Sequence, residues 1–530
     1  MDTEKDRHNV AVDGLRQILG AAQVSTDDVT RTLFATDVFR TLETPVAVIH
    51  PDTQERLAAA IACATRHGMA VVPRGGGMSY TGGYLSERAG SVVVDTRRLN
   101  RIVEVNREDL YVTVECGVTW AQLDEALKDT GLRPPFWGTG SGLFATVGGS
   151  LSQNAMNYGS ARHGTSADSV LSLTVALADG TLLRTGSAAT AQNGSPFFRA
   201  YGPDMTGLFL GDTGALGIKT QATLRLLPRP SVAGFASFEF ADQSGYVAAL
   251  TALARESVAS QIFGFDPRFL RQRIKRQGMV RDLQLLRGVA MSGRSLLAGL
   301  RDAAKVAMAG RRFLADAAYT VHVTVEGRDE DELRSALNAV RRATLAVPGV
   351  REIEPSVPRL SHGTPFPRPN LLVNDDTEVW VPVHALVPPS RLDAMLTKIN
   401  GYFDSVKAVI DEHDIDWGCV CSVCGPHAML VEPSFYYRDA LNPLHRHVLG
   451  DTLLKGIQGL PPNPDTKAAV AKVRRDLADL FLREGTAHLQ IGKFYHYRES
   501  RQPELLRLLE AIKASVDPQG LINPGSLGLR

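Results

Sequence analysis

The stretch that decides the reading is Pro73-Arg74-Gly75-Gly76-Gly77-Met78-Ser79-Tyr80-Thr81-Gly82-Gly83. It follows Ala70–Pro73, an apolar run that reads as a strand. Glycines lack a Cβ, so their backbone N–H groups converge on an anion and form a nest for a pyrophosphate. The Gly-Lys-Ser/Thr ending of a Walker loop is absent. No regular helix starts inside the stretch, so it is not a Rossmann fingerprint either. The plainer alternative is a glycine-rich surface turn.

Upstream, Ala47–His50, Thr53–His67 and Ala70–Pro73 follow a strand–helix–strand pattern, after a helical entry over 12–45. Downstream, Ser91–Asp95 and Tyr111–Cys116 read as strands, and Thr119–Thr130 as a helix with Trp120, Leu123, Ala126 and Leu127 on one face. Two more small-residue loops come next. One is Gly138-Thr139-Gly140-Ser141-Gly142 with Ala145-Thr146-Val147-Gly148-Gly149 and Asn154-Ala155. The other is Thr206-Gly207-Leu208-Phe209 with Gly214-Ala215-Leu216-Gly217-Ile218. Between them, Val170–Ala178 and Thr181–Thr185 flank Asp179-Gly180 and predict a hairpin. Three glycine loops in order suit the lining of one long ligand.

At 530 residues the chain exceeds one core, which stops growing at about 250–300 residues. The boundaries expected are 1–230, 231–480 and a C-terminal segment 481–530 that returns to the first domain. Pro228 and Pro230 end the first unit, and longer helices follow, as in Asp329–Thr344 before Val350–Ile353. Helices are expected near 439–457 and 465–484. A net charge of +1 gives no global field for nucleic acid. Five cysteines make no disulfide framework, and Met1–Val12 is polar, so a cytoplasmic protein is expected. Residues 285–320 are basic and helix-forming: either a solvated helix pair or a docking face for a membrane surface or acidic partner. Cys419-Val420-Cys421-Ser422-Val423-Cys424 reads as a core strand of small thiols, with a metal site as the alternative.

The order of these motifs resembles the FAD-binding domain of the vanillyl-alcohol oxidase/para-cresol methylhydroxylase superfamily. The tail Val516-Asp517-Pro518-Gln519-Gly520-Leu521-Ile522-Asn523-Pro524-Gly525 is similar to that superfamily's C-terminal signature. The resemblance implies an α+β, two-domain FAD-binding fold with an α+β substrate (cap) domain. It implies that Pro73, Arg74, Gly75, Gly76, Gly77, Met78, Ser79 and Tyr80 hold the pyrophosphate. Thr146, Gly148, Gly149, Asn154, Gly217 and Ile218 would contact the rest of FAD, and Asn523 would lie near the isoalloxazine. Some members attach FAD through a histidine in the first loop, where this chain has Met78. Others use the cap, where His427, Tyr436 and Tyr437 are the nearest candidates. Non-covalent FAD is expected.

The D-lactate and D-2-hydroxyglutarate dehydrogenase branch carries a metal on His-x6-His with a later Glu-His-Gly. Here His384 is followed by Arg391, and Thr486-Ala487-His488-Leu489 stands in place of Glu-His-Gly, so no metal is expected. The cap runs Val379–Val383 and Met429–Arg438 look more like the phenol-oxidising branch. The activity expected is oxidation of an aromatic alcohol or para-substituted phenol by hydride transfer to flavin N5. A D-2-hydroxy-acid dehydrogenase is the alternative. Arg498 with Tyr497 or Tyr495 is expected to bind a phenolate, and His488 to serve as base; an ordinary surface turn is the plainer reading. Arg162 and His163 rank second. The partners expected are a small-molecule substrate, an electron acceptor left open among oxygen, a cytochrome and a quinone, and a second copy in a homo-oligomer.

Overall fold

Ala47–Ile49 (β2), Ala70–Arg74 (β3) and Ser91–Asp95 (β4) are short and carry buried apolar centres, Ala-Val-Ile, Ala-Val-Val and Val-Val-Val, as parallel strands covered on both faces should. In the computed structural model, which describes residues 2–276, 319–368, 372–373, 377–455, 457 and 459–529, they form a parallel sheet. A short strand, Val24–Ser25 (β1), pairs antiparallel with β2. The helix Gln54–Arg66 crosses over from β2 to β3 and is capped by the Thr53 side chain on Arg56 N–H. The N-terminal helix, Asp2–Leu19, starts earlier than the composition suggests. Ala11, Leu15 and Leu19 recur every four residues and are buried, and Gly14 lies against Cys63 of the crossover helix.

A five-stranded antiparallel sheet follows, in the order β5 (Ile102–Asn106), β6 (Tyr111–Glu115), β10 (Ile218–Arg225), β8 (Val170–Ala176) and β9 (Leu182–Arg184). The Asp179-Gly180 hairpin joins β8 to β9, with Gly180 at φ +86° and Leu177 N–H donating to Thr181 O. The short strand Leu132–Arg133 (β7) pairs with Leu227–Pro228 (β11) at the exit from this unit.

The second unit is one antiparallel sheet of eight strands. Its order is Arg351–Ile353 (β15), Val232–Phe240 (β12), Tyr319–Gly327 (β14), Ala259–Phe265 (β13), Asp416–Cys424 (β18), Ala428–Arg438 (β19) and Glu378–Pro382 (β16). Ala385–Val387 (β17) also pairs with β19. The helices Gln243–Glu256, Glu330–Leu345, Leu392–Ser405 and Pro464–Arg483 bury their apolar faces in this unit's core. Alternation on β18 puts Cys419 and Cys421 into that core, while Val420 and Ser422 face the opposite side. The cysteines therefore behave as small buried hydrophobes. The basic run 285–318 lies outside the described residues.

The tail comes back to the first unit. Asp517 accepts N–H bonds from Leu521 and Ile522 and the ammonium of Lys513, which fixes a tight turn. Ile522 then bridges Val71 in parallel, so the tail lies beside the strand that feeds the first glycine loop.

Candidate active site

The glycines of the first loop are dictated by contact. A Cβ on Gly76 would sit 1.9 Å from Phe144 O, and one on Gly75 would sit 2.3 Å from Thr146 Oγ1. The loop is thus pressed onto the second small-residue loop, and Gly77 O (2.6 Å) and Ser79 O (2.9 Å) share the single Tyr84 hydroxyl proton. Gly148 is equally constrained, with a Cβ falling 2.5 Å from Cys116 Cβ. Together the loops wall one end of a cavity of about 1110 Å³ whose other end lies under the eight-stranded sheet. Pockets for drug-sized ligands run to roughly 300–1,000 Å³, so this one has room for a dinucleotide and a small substrate together.

Of the cofactor residues expected from sequence, all but Asn154 and Asn523 line this cavity. Asn523 is a staple: its Nδ2 donates to Gly83 O and Thr213 O, both at 2.7 Å, and ties the tail to two of the glycine loops. Asn154 takes a left-handed conformation, φ 51°, and ends the helix Val147–Gln153. Arg74 lines the cavity, but its guanidinium is directed to Leu33 O and Thr36 O, between Phe34 and Tyr84.

The far end is aromatic and apolar, with Phe263 and Phe265 of β13, Phe269, Trp380 of β16, and Leu430 and Tyr436 of β19. One carboxylate breaks this surface. Leu430, Glu432, Ser434 and Tyr436 alternate on β19 and all line the cavity. Burial pushes the Glu432 carboxyl up to about 7, and a hydrogen bond from the Tyr80 hydroxyl (3.2 Å) pulls the other way. Behind it, His384 Nε2–H donates to Leu489 O (2.8 Å), which leaves Nδ1 as an acceptor near the hydroxyls of Tyr80 (3.3 Å) and Tyr495 (3.2 Å). Burial lowers His384 to about 3, so it is neutral. Gln490 Nε2 donates to the Tyr80 oxygen (3.3 Å).

The catalytic candidates from sequence divide. Tyr495 and His488 stand behind this wall: His488 Nδ1–H donates to His384 O (2.9 Å), and its ring stacks on Tyr495 at 3.9 Å. Burial lowers His488 to about 4, and it does not line the cavity. Tyr497 and Arg498 are not brought to the site. Consecutive turns after Gly492, φ +60°, send Phe494 and Tyr495 inward and leave Arg498 half-exposed, paired with Glu510 at 2.6 Å. The Tyr–Arg phenolate clamp is therefore not assembled here. His163 is away from the cavity lining, and His427 is exposed in the β18–β19 turn. Arg391 donates to Glu484 O (3.0 Å). Glu432 escaped the sequence reading; the available signal was a single acid at an inward position of the apolar run Met429–Arg438.

Comparison with known proteins gives these loops their meaning. Residues 45–186 match the FAD binding domain family, and 491–527 match the C-terminal domain of FAD linked oxidases. Over 183 residues, 34% of this chain, the sequence is 33% identical to the mitochondrial D-lactate dehydrogenase [cytochrome] of Kluyveromyces lactis. The match spans 30% of that relative's own length. The fold of the 4-ethylphenol oxidase from Gulosibacter chungangensis superposes over 99% of this chain and 97% of that one, with TM-score 0.72 and 19% identity. That of p-cresol methylhydroxylase does so over the same shares, with TM-score 0.72 and 17% identity. Among the described residues no helix is long and apolar enough to cross a membrane. The glycine cradle, closed to a Cβ at Gly75, Gly76 and Gly148, and the buried Gln153 Oε1 on its wall, unpartnered among the described residues, fit the cofactor that the matched families bind, FAD. Residues 45–186 and 491–527 thus carry the two matched FAD-linked domains, on a chain that shares its fold with p-cresol methylhydroxylase.

Proposed function

We propose that this chain is an FAD-dependent oxidoreductase acting on an uncharged aromatic alcohol or para-substituted phenol. The observation that carries the reading is Glu432, a carboxyl set in an aromatic wall and raised to about 7, close to the pH at which a general base works best. FAD, when bound between the glycine loops and the sheet, supplies the acceptor for the hydride that leaves the substrate carbon. The substrate ring rests among Phe263, Phe265, Phe269 and Trp380, whose faces exclude water. Glu432 takes the hydroxyl proton of the substrate, and the Tyr80 hydroxyl steadies the carboxylate beforehand.

Charge argues against an anionic substrate. Among the described residues three cations line the cavity. Arg74 is engaged by backbone carbonyls, Lys219 is paired with Asp212 at 2.6 Å, and Arg368 is exposed. A substrate carboxylate placed at the aromatic end would meet Glu432 instead. The D-2-hydroxy-acid reading keeps support from the D-lactate dehydrogenase relative, with Arg368 as the one available cation among the described residues. Anaerobic bleaching of the flavin separates the two. Benzylic alcohols or para-alkylphenols should reduce it within seconds at millimolar concentration, and D-lactate and D-2-hydroxyglutarate should not. Bleaching by the acids alone, lost in Arg368→Ala, would establish the second reading.

A further inference from the structure

Glu432 depends on a donor that a second acceptor also claims. The Tyr80 hydroxyl has one proton and two acceptors in reach, Glu432 Oε2 at 3.2 Å and His384 Nδ1 at 3.3 Å. His384 Nδ1 offers one in-plane lone pair, and the Tyr495 hydroxyl reaches it at 3.2 Å. The tautomer is fixed, because Leu489 O accepts only and so Nε2 carries the hydrogen. Matching donors to acceptors selects one arrangement. With Tyr495 donating to Nδ1, Tyr80 donates to Glu432, and both protons are used. With Tyr80 donating to Nδ1, the carboxylate loses its donor, and the Tyr495 proton has no other acceptor among the described residues. Both losses are costly in a buried wall.

We propose that Tyr495 is a positioning residue for Glu432: by filling the lone pair of His384 Nδ1 it reserves the Tyr80 hydroxyl for the carboxylate. Tyr495 itself does not touch Glu432. Its oxygen accepts the His384 backbone N–H (2.7 Å) and its ring stacks on His488, so its hydroxyl is held in place from two sides. The other groups facing Glu432 are Tyr80 from the glycine loop, His384 from the turn after β16 and Tyr436 from its own strand; Val420 opposite it on β18 is apolar. Behind them lie His488 and the Arg474 guanidinium, which donates to Tyr80 O at 3.1 Å. The role rests on the reading of Glu432 as base only for its consequence in turnover. The hydrogen-bond competition stands on the distances alone.

The test is the ionisation of Glu432 in the flavin-loaded protein. Its protonated carbonyl stretch is identified in infrared difference spectra by its loss in Glu432→Gln. Tyr495→Phe keeps the ring and its stacking but frees Nδ1 to draw the Tyr80 proton. The carbonyl titration should then move up by about one pH unit, a tenfold change in the ionisation constant. In a His384→Leu background, where the competing acceptor is gone, Tyr495→Phe should add no shift. An unmoved titration in folded Tyr495→Phe holoenzyme overturns the proposal, as does an equal shift in both backgrounds. If Glu432→Gln leaves the pH–rate profile unchanged, the base assignment falls, while the carbonyl titration still decides this one.

Discussion

Arg133 and Glu326, 193 residues apart, form a two-pronged buried ion pair: Nη1 to Oε1 at 2.8 Å and Nη2 to Oε2 at 2.5 Å, with each side chain 6% exposed. It joins β7 of the flavin unit to β14 of the cap. His362 adds a third contact to Glu326 Oε1 (3.2 Å) from the helix Ser356–Gly363, whose Leu360 and Ser361 line the cavity. Burial alone would raise the Glu326 carboxyl. The hydrogen bonds from His362 and Arg133 and the guanidinium charge hold it well below the usual range.

Breaking one side of this pair leaves an unpaired buried charge, so Glu326→Gln should lower stability by about 3–5 kcal/mol at pH 7. The paired replacement Arg133→Met with Glu326→Leu should recover much of that. The folded value is depressed, so the contribution is complete above the unfolded carboxylate's ~4.3 and is lost as pH falls below it. Urea midpoints should therefore drop more steeply for the wild type than for the double variant between pH 6 and the acid limb. Parallel slopes would remove the pair from the acid response.

Gly76→Ala should lose FAD while the chain stays folded. A Cβ there meets the Phe144 carbonyl, which is backbone and cannot swing aside. The loop must retreat from its partner, and the cradle opens. The ratio of absorbance at 450 to 280 nm should fall at least about tenfold, with the far-ultraviolet circular dichroism retained. Full flavin occupancy would show that the first loop does not hold the cofactor.

Acid precipitation of the wild type should release its flavin into the supernatant. Met78 lines the cradle and forms no bond of the kind a histidine forms. His427 is exposed in a turn, and Tyr437 packs into the cap core against Phe39, away from the lining. Tyr436, the remaining cap candidate, does line the cavity. Fluorescence that stays with the denatured chain would therefore point to Tyr436.

The flavin half was legible because its information is local. Gly75, Gly76 and Gly148 stand where a side chain cannot fit, and Asp179-Gly180 between two apolar runs favours a hairpin turn. The catalytic half was not. Glu432 owes its raised carboxyl to burial, and the Tyr80 hydroxyl that bonds it comes from 352 positions away, so no window of sequence holds both. The tail failed for a different reason. Tyr495, Tyr497 and Arg498 lie within four positions in a run of turns, where a shift of two residues exchanges the buried face for the exposed one.

Glu432→Gln should cut turnover by about 10²–10⁴-fold, since a positioned base contributes on that scale. The carboxyl sits near 7 in the folded protein, so the base form is scarce at pH 5.5 and dominant at pH 8.5. The wild-type rate should climb about tenfold per unit below that value and level off above it. The residual rate of the variant should lose that limb. A limb that persists in Glu432→Gln would assign it to another group.

Activity should survive exhaustive chelation, with no stoichiometric zinc, iron or manganese in the purified protein. His384 Nε2 is spent on Leu489 O, and its Nδ1 faces two phenol hydroxyls. His488 gives its Nδ1–H to His384 O, and its Nε2 lies 3.4 Å from the Thr486 hydroxyl. Arg391 stays protonated and cannot coordinate a cation, and its guanidinium donates to Glu484 O. Among the described residues Glu432 is the one acid at hand, 4.0 Å from His384 Nδ1. His488 does not line the cavity, so one carboxylate and one encumbered imidazole are left there, short of the three protein ligands that catalytic metals usually take. Elemental analysis showing one tightly held metal per chain, with turnover lost on its removal and restored on its return, would overturn this. His384 Nδ1 would then be a ligand, with Nε2–H kept on Leu489 O, and His384→Leu would abolish metal binding.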